Sequence, residues 1–261
     1  MFCATSNAAE SAPAAEKSTY VIVHGSTGGG WDWKKVDHLL TEQGHVVYRP
    51  TLTGLGERVH LSNPSIGLDT HVDDIVNLIL FEDLHNVVLV GHSYAGMVIT
   101  GVTDRIPDRI RHVVFLDATV PEDGESFMDV ERKVGDKTPR PVVNGIYTPY
   151  WVNTNALPPC DVSQSYKTLT DPVSYKNPAA KSIPATCVLY LKTADQLNSL
   201  KENDANHYLQ WRRAQNRGWT IRVLSSDHNA QKTHPLELAE LLSQVPNDAN
   251  HAPLKSLTPL P

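Results

Sequence analysis

A single serine set between small residues offers this chain a nucleophile. Ser93 follows the apolar run 87–90 and Gly91, and it precedes Ala95, Gly96 and a helical pattern. A sharp turn from a strand into a helix exposes such a hydroxyl, and small neighbours are needed because larger side chains would collide there. The pattern departs from strict G-x-S-x-G, since Ala95 occupies the second small position and Gly96 follows it. The turn therefore predicts a serine placed to attack a carbonyl group.

A nucleophilic serine needs a base, and position selects one of the twelve histidines. His228 follows the last apolar run, where a loop is able to reach over the serine turn. His234 is interpreted as a residue that starts the final helix. The side chain of His92 is expected to point away from Ser93, toward packing or backbone, and His24 is expected to support its own loop. We therefore predict His228 as the base.

The base in turn needs a carboxylate to orient it, and two aspartates compete for this role. Asp195 comes just beyond the run 187–191, which gives the chain order serine, acid, histidine. Asp117, beyond the run 112–116, reaches the same geometry and stays the alternative. Asp227 adjoins the histidine but should point the other way. On strand-end position and chain order alone, we predict Asp195 as the acid.

The oxygen of a tetrahedral intermediate needs two N–H donors held in place. One is expected from the main chain of Tyr94, directly after the serine. The other should come from the glycine-rich loop 24–31, with the Ser26 N–H preferred and Thr27 as the fallback. That loop lacks the lysine of a phosphate-binding loop and does not form G-x-G-x-x-G, so nucleotide binding is rejected.

Strands and helices alternate along most of the chain. The predicted strands are 20–24, 45–48, 87–90, 112–116, 187–191 and 220–224, and the predicted helices are 31–40, 68–80, 95 to about 104, 206–215 and 236–242. Continuous apolar strands separated by helices are typical of a mostly parallel sheet covered on both faces. Such a sheet places its reactive groups at the carboxyl ends of its strands. The predicted fold class is therefore α/β.

One long segment interrupts this alternation. Residues 121–183 are charged, rich in proline and aromatic, and show no clear strand. They are too many for a loop without structure of its own, so we predict a cap inserted over the serine. The predicted core is then 18–120 and 184–247, preceded by a disordered lead-in at 1–17 and followed by a tail at 248–261.

Four residues near these motifs are candidates for the wall of a substrate pocket. Gly25, Thr27 and Trp31 belong to the glycine-rich loop, and Trp151 belongs to the predicted cap. Trp31, Trp33, Tyr94 and the aromatic residues of the predicted cap suggest an apolar substrate. Each aromatic residue also has ordinary packing as an alternative role.

Composition limits the classes of function. The 261 residues are 40% hydrophobic and 20% charged, enough for one domain with a buried core. No apolar run approaches a membrane span, and a net charge of −6 without a basic cluster argues against nucleic acid as a partner. Cys3, Cys160 and Cys187 have no metal-ligand spacing, and no metal or cofactor is predicted. The compartment, cytoplasmic or exported, stays open, and with it any pairing of Cys160 with Cys187.

Five stretches of the chain carry a resemblance to a known family. They are His24-Gly25, 50–58, 69–71, 90–94 and 115–123. Together they resemble the α/β-hydrolase superfamily, and they are similar to small bacterial salicylate-esterase-like hydrolases, plant methylesterases and hydroxynitrile lyases. The resemblance covers about 20–245. It implies an α/β-hydrolase fold, a triad of Ser93, His228 and Asp195, and oxyanion donors at Ser26 and Tyr94.

The lyase branch of this family differs at two of these positions. Lyases carry a threonine where Gly25 stands and a lysine directly after the catalytic histidine, whereas this chain has Gly25 and Asn229. Without that cation nothing stabilises a departing cyanide, so the comparison favours hydrolysis. We therefore expect a cofactor-free serine hydrolase that acts on a small, uncharged carboxylic ester through an acyl-enzyme. Amide, carbamate or lactone cleavage by the same residues, and a ligand-binding homologue without turnover, stay as alternatives.

Overall fold

A computed structural model describes residues 17–200 and 204–245. Its strands are β1 (Thr19–Val23), β2 (Val46–Tyr48), β3 (Val87–His92), β4 (Ile110–Leu116), β5 (Val142–Val143), β6 (Ile146–Tyr147), β7 (Gln164–Ser165), β8 (Ala185–Leu191) and β9 (Thr220–Ser225). Its helices are α1 (Lys34–Glu42), α2 (Leu68–Phe81), α3 (Ala95–Arg105), α4 (Phe127–Lys133), α5 (Lys167–Thr170), α6 (Pro178–Lys181), α7 (Ala205–Asn216), α8 (Ala230–Thr233) and α9 (Pro235–Gln244). The predicted tail, and the predicted lead-in except Lys17, lie outside the described residues.

Six parallel strands form the central sheet, in the order β2-β1-β3-β4-β8-β9. Since all of them run the same way, their carboxyl ends meet along one edge. β3 and β4 are neighbours, and His92 is paired with Leu116 where both strands end. The residues that follow, Ser93 and Asp117, therefore leave the sheet side by side.

Helices cover both faces of the sheet, which explains why its strands are apolar on both sides. On one face α2 and α3 pack on Val21, Leu89 and Phe115. On the other face α1 and α9 pack with the alternate residues, such as Ile22 and Val90. The α/β class predicted from the apolar runs is confirmed. Those runs are apolar because a strand buried on both faces has no position for an exposed polar side chain.

The segment between β4 and β8 holds α4, α5, α6 and an antiparallel sheet of β5, β6 and β7. We call residues 121–183 the cap. Each of its strands has two residues, too few for a period-two pattern, which is why the sequence shows no clear strand there. A buried ion pair ties the start of the cap to the core: the two terminal guanidinium nitrogens of Arg213 on α7 donate to Glu125, each at 2.8 Å.

The described residues also bear on the expected lack of a membrane span and on the open question of a pairing between Cys160 and Cys187. No helix among 17–200 and 204–245 has the length and apolar character that crossing a bilayer requires. Cys160 and Cys187 are both free thiols, and Cys187 is buried within β8.

Gly96, just after the turn that follows β3, is needed because its backbone lies very close to the backbone of Thr119. A Cβ on Gly96 would lie 1.9 Å from the carbonyl oxygen of Thr119, well inside van der Waals contact. That carbonyl belongs to the segment leaving β4, so a side chain at residue 96 would push apart the ends of the two central strands. Ala95, by contrast, carries its methyl group buried in the core.

Replacement of this glycine should therefore destabilise the protein. We expect Gly96→Ala to lower the free energy of unfolding by about 2 kcal/mol or more, because backbone must move to admit the methyl group. Urea denaturation followed by circular dichroism measures the change. Gly101→Ala is the matched control in α3, since its Cβ would meet a side-chain methyl of Val72 at 2.7 Å rather than backbone. Equal losses from the two substitutions would contradict the prediction.

Candidate active site

The backbone of Ser93 holds its hydroxyl at the edge of the sheet. Its φ is 57°, in the left-handed region that a non-glycine residue rarely adopts. Main-chain hydrogen bonds on both sides maintain it: the Ser93 N–H donates to Leu116 O at 3.2 Å, and the Ser93 carbonyl accepts from the Thr119 N–H at 3.1 Å. This is the sharp strand-to-helix turn that the sequence predicts.

A chain of hydrogen bonds joins three side chains at this point. The Ser93 hydroxyl donates to Nε2 of His228 at 3.0 Å, and Nδ1 of His228 donates to Oδ2 of Asp117 at 2.6 Å. A carboxylate oxygen only accepts, so its partner assigns the imidazole proton to Nδ1. Nε2 is then left with a lone pair that faces the serine. This is the arrangement a histidine needs to withdraw a proton from a hydroxyl.

The carboxylate that accepts from His228 is Asp117 and not Asp195, so the geometry corrects the preference for Asp195. Asp117 is the first residue after β4, the strand beside β3, and it starts level with Ser93. Asp195 lies four residues past the end of β8, one strand further away, in a 3-10 turn where its side chain is exposed. Strand-end position and chain order suit both aspartates, so the order of strands in the sheet decides between them.

Asp117 is almost withdrawn from water, with only 8% of its side chain exposed. Burial alone would raise the pKa of this carboxyl, but the hydrogen bonds from His207 and His228 outweigh that effect and hold the pKa well below its usual range. The Tyr190 N–H also donates to Oδ1, at 3.3 Å. Asp117 is therefore a carboxylate, able to stabilise positive charge on His228.

Two other histidines near the turn are buried and neutral. Nε2 of His92 donates to the carbonyl oxygen of His228 at 2.7 Å, so His92 holds the loop that carries His228. Burial, together with the neighbouring His228, lowers the pKa of His92 to about 3. Nδ1 of His24 donates to Gly25 O at 2.8 Å, and Nε2 accepts from the Leu52 N–H. Both side chains point into backbone, as the sequence analysis expected for His92.

The glycine-rich loop passes directly over the serine. A Cβ on Gly25 would lie 3.1 Å from Cβ of Ser93, so only glycine permits this approach without displacing a neighbour. The Thr27 N–H donates to Oε1 of Gln164 at 2.9 Å and is therefore already engaged. The main-chain N–H groups of Ser26 and Tyr94 find no acceptor among the described residues. These two groups are the ones the sequence analysis preferred as oxyanion donors.

Gln164, in β7 of the cap, is a residue that the sequence reasoning missed. Its side chain is buried, and Oε1 also accepts from the Ser26 hydroxyl at 2.8 Å. Two more cap groups bind the same loop: the Val162 N–H donates to Thr27 O at 2.9 Å, and Nε1 of Trp151 donates to Oγ1 of Thr27 at 3.0 Å. These contacts join residues more than 120 positions apart, and no local pattern signals them.

A cavity of about 830 Å³ opens between the core and the cap at Ser93. Gly25, Thr27 and Trp151 line it, together with cap residues such as Phe127 and Tyr147. The volume lies in the range of pockets that hold small organic molecules.

Trp31, the fourth candidate for the pocket wall, is not among the residues that line this cavity, which corrects that expectation. Trp31 belongs to the 3-10 turn Gly30–Trp33, and its ring lies against Gly29 and under the Lys232 ammonium, 4.9 Å from the ring centre. The ring is thus occupied by packing, the alternative role that the sequence left open.

Comparison with known proteins places this geometry in a family. A model of the alpha/beta hydrolase family matches residues 20–241. The chain belongs to that family. The resemblance drawn from the five sequence stretches is thereby confirmed, and so is the predicted α/β-hydrolase fold.

Individual relatives share parts of the chain. A carbendazim hydrolyzing esterase from Nocardioides sp. (strain SG-4G) is 50% identical over 111 residues, 42% of this chain and 46% of that protein. Methylesterase 1 of Arabidopsis thaliana is 31% identical over 144 residues, 54% of this chain and 55% of that protein. The matches thus span about half the length of these curated relatives.

A solved structure shows that the likeness in fold extends further. An extracellular alpha/beta-hydrolase from a Paenibacillus species superposes with a TM-score of 0.69 at 23% identity, over 87% of this chain and 98% of that one.

The contacts of Gln164 predict how fast Ser93 reacts with a fluorophosphonate probe. We expect Gln164→Leu to slow labelling about tenfold, because loss of one hydrogen-bond acceptor loosens the loop carrying the Ser26 N–H. Mass spectrometry of the labelled peptide measures the rate. Trp151→Phe is the control, since it removes a bond to the Thr27 side chain and leaves the main-chain N–H held. Unchanged labelling in Gln164→Leu would contradict this role.

Proposed function

We propose that this chain is a serine carboxylic ester hydrolase that works through an acyl-enzyme. The observation that carries the proposal is the hydrogen-bonded series Ser93–His228–Asp117 at the cavity between core and cap. The esterase names of the relatives support it. Ser93 is the nucleophile, His228 the general base and acid, and Asp117 the group that orients His228.

The first half of the reaction forms the acyl-enzyme. Nε2 of His228 takes the hydroxyl proton as Oγ of Ser93 attacks the ester carbonyl, and the resulting imidazolium is stabilised by Asp117. The carbonyl oxygen becomes an oxyanion and accepts hydrogen bonds from the N–H groups of Ser26 and Tyr94. His228 then returns its proton to the leaving alcohol, and the C–O bond to that alcohol breaks.

The second half regenerates the enzyme. Water enters where the alcohol left, His228 removes one of its protons, and the hydroxide oxygen attacks the acyl carbon. The same two N–H groups hold the second oxyanion. The bond to Oγ breaks as His228 returns the proton to Ser93, and the carboxylic acid departs.

The cavity favours small, uncharged substrates with apolar groups. Phe127, Tyr147 and Leu169 supply apolar wall, and the volume of about 830 Å³ suits a molecule of one or two rings. Carboxyl side chains outnumber cations along its lining, with Asp32, Asp117, Asp161, Glu131, Asp136 and Asp204 against Arg140, Lys232 and His207, whose pKa is raised to about 9. This excess of negative charge repels an anionic ester.

Carbamate cleavage is a second candidate, and the Nocardioides relative favours it. That relative is named a carbendazim hydrolyzing esterase. As a compound, carbendazim is a methyl carbamate. The same steps apply: methanol leaves, the carbamoyl group stays on Ser93, and water releases a carbamic acid that loses carbon dioxide to give the amine. The nucleophile and the oxyanion donors are identical for both bonds.

Loss of the serine hydroxyl tests the proposal directly. We expect Ser93→Ala to lower kcat by a factor of about 10⁴ or more on every substrate that the wild type cleaves, because only the oxyanion donors and binding contacts are left. Release of alcohol from neutral aryl acetates, methyl benzoate and a methyl aryl carbamate measures it. Near-wild-type turnover by Ser93→Ala would overturn the assignment. A wild type that binds these esters but neither cleaves them nor reacts with a fluorophosphonate would be a binding homologue.

The identity of the acid has its own paired test. Asp117→Asn should lower kcat roughly 1000-fold or more, because an amide neither stabilises the imidazolium nor holds the Nδ1 tautomer. Asp195→Asn makes the same chemical change at an exposed site and should leave kcat within about twofold of the wild type. Comparison of kcat in the two variants is decisive, and the reverse pattern would restore Asp195 as the acid.

A further inference from the structure

Asp117 is bound by a second histidine that the proposed mechanism does not use. Nε2 of His207, on α7, donates to Oδ1 of Asp117 at 2.7 Å, while His228 takes the other oxygen. The opposite ring nitrogen of His207 contacts Oδ2 of Asp204. Asp204 precedes α7 and also caps it, since its Oδ1 accepts from the His207 N–H at 3.0 Å. The serine, base and acid are thus extended by a further imidazole and carboxylate.

The partners of His207 determine its charge. Each ring nitrogen faces a carboxylate oxygen, which only accepts, so the ring carries a proton on both nitrogens. Burial alone would lower the pKa of His207, but the hydrogen bonds and charges of Asp117 and Asp204 raise it to about 9. The titratable groups that face it are Asp204 beside its own helix, Asp117 from the end of β4 and, across Asp117, His228 from the loop after β9.

We propose that His207, held as a cation by Asp204, is a positioning residue that fixes Asp117 and balances its charge behind His228. This rests on the proposed function, in which Asp117 orients the base. A buried carboxylate without a paired charge is costly, and it would take up a proton or turn toward water. His228 does not supply that charge in the resting enzyme, where its Nε2 accepts from Ser93. The imidazolium of His207 therefore keeps Asp117 ionised and at one rotamer before the reaction starts.

The sign of the resulting pH dependence follows from the pKa of His207. Below pH of about 9 the cation is present and Asp117 is held. As pH rises through that value, His207 loses one of its two ring protons and with it the positive charge. One ring nitrogen then has no hydrogen to donate to the carboxylate it faces, so kcat/KM for a neutral ester should fall. Replacement of His207 by a group that does not titrate should abolish this basic limb.

Two variants of the full chain separate this role from plain structural support. His207→Gln keeps an N–H donor toward Asp117 but no charge, and we expect kcat/KM at pH 7 to fall about tenfold, with the limb near pH 9 gone. Asp204→Asn keeps a side-chain cap for α7 but removes the anion, and the limb should move to lower pH by about one unit. A limb that stays near pH 9 in both variants would overturn the proposal, whatever the loss in kcat/KM.

A measurement without turnover keeps this inference distinct from the proposed function. In ¹⁵N-histidine-labelled Ser93→Ala protein, NMR should show His207 protonated on both nitrogens at pH 7 and losing a proton near pH 9. A neutral His207 at pH 7 in this spectrum, with Ser93-dependent esterase activity in the wild type, would overturn the inference alone. A cationic His207 in a wild type that cleaves no ester or carbamate would support the charge assignment and overturn the proposed function instead.

Discussion

An ionised carboxylate withdrawn from water is the constraint on which the arrangement of this site depends. Asp117 is stable in that form because donors from three separate parts of the fold reach its two oxygens: the Tyr190 N–H in β8, His207 on α7 and His228 after β9. None of these is near Asp117 in sequence. The site therefore exists only once the central strands and the last third of the chain have come together, and its integrity is tied to the stability of the sheet.

Much of the fold was predictable because burial leaves strong traces in sequence. Strands covered on both faces have to be apolar throughout, and the predicted strands agree with the observed ones to within about two residues. Ser93 was recognisable for a related reason, since two backbones approach closely around it and its neighbours have to be small. In the cap, by contrast, strands of two residues leave no period to detect.

The carboxylate that hydrogen-bonds to His228 was not predictable from the same signals. Asp117 and Asp195 both follow an apolar strand, and both lie between Ser93 and His228 in the chain. What separates them is that β4, rather than β8, lies beside β3, and the lateral order of strands is a property of the folded sheet. Gln164 and His207 escaped notice for a similar reason, since each is an ordinary polar residue until the fold brings it to its partner.

The three hydrogen bonds that Thr27 makes with the cap have a consequence for how molecules reach the serine. They engage its N–H, its carbonyl and its hydroxyl, so swinging the cap away as one body would dismantle the loop that carries the Ser26 N–H. Substrate and product must then pass through the rim of the cavity, where the side chains of Tyr150 and Trp151 are exposed beside the opening. A change in the bulk of either ring would therefore alter the size of the molecule that can enter the cavity.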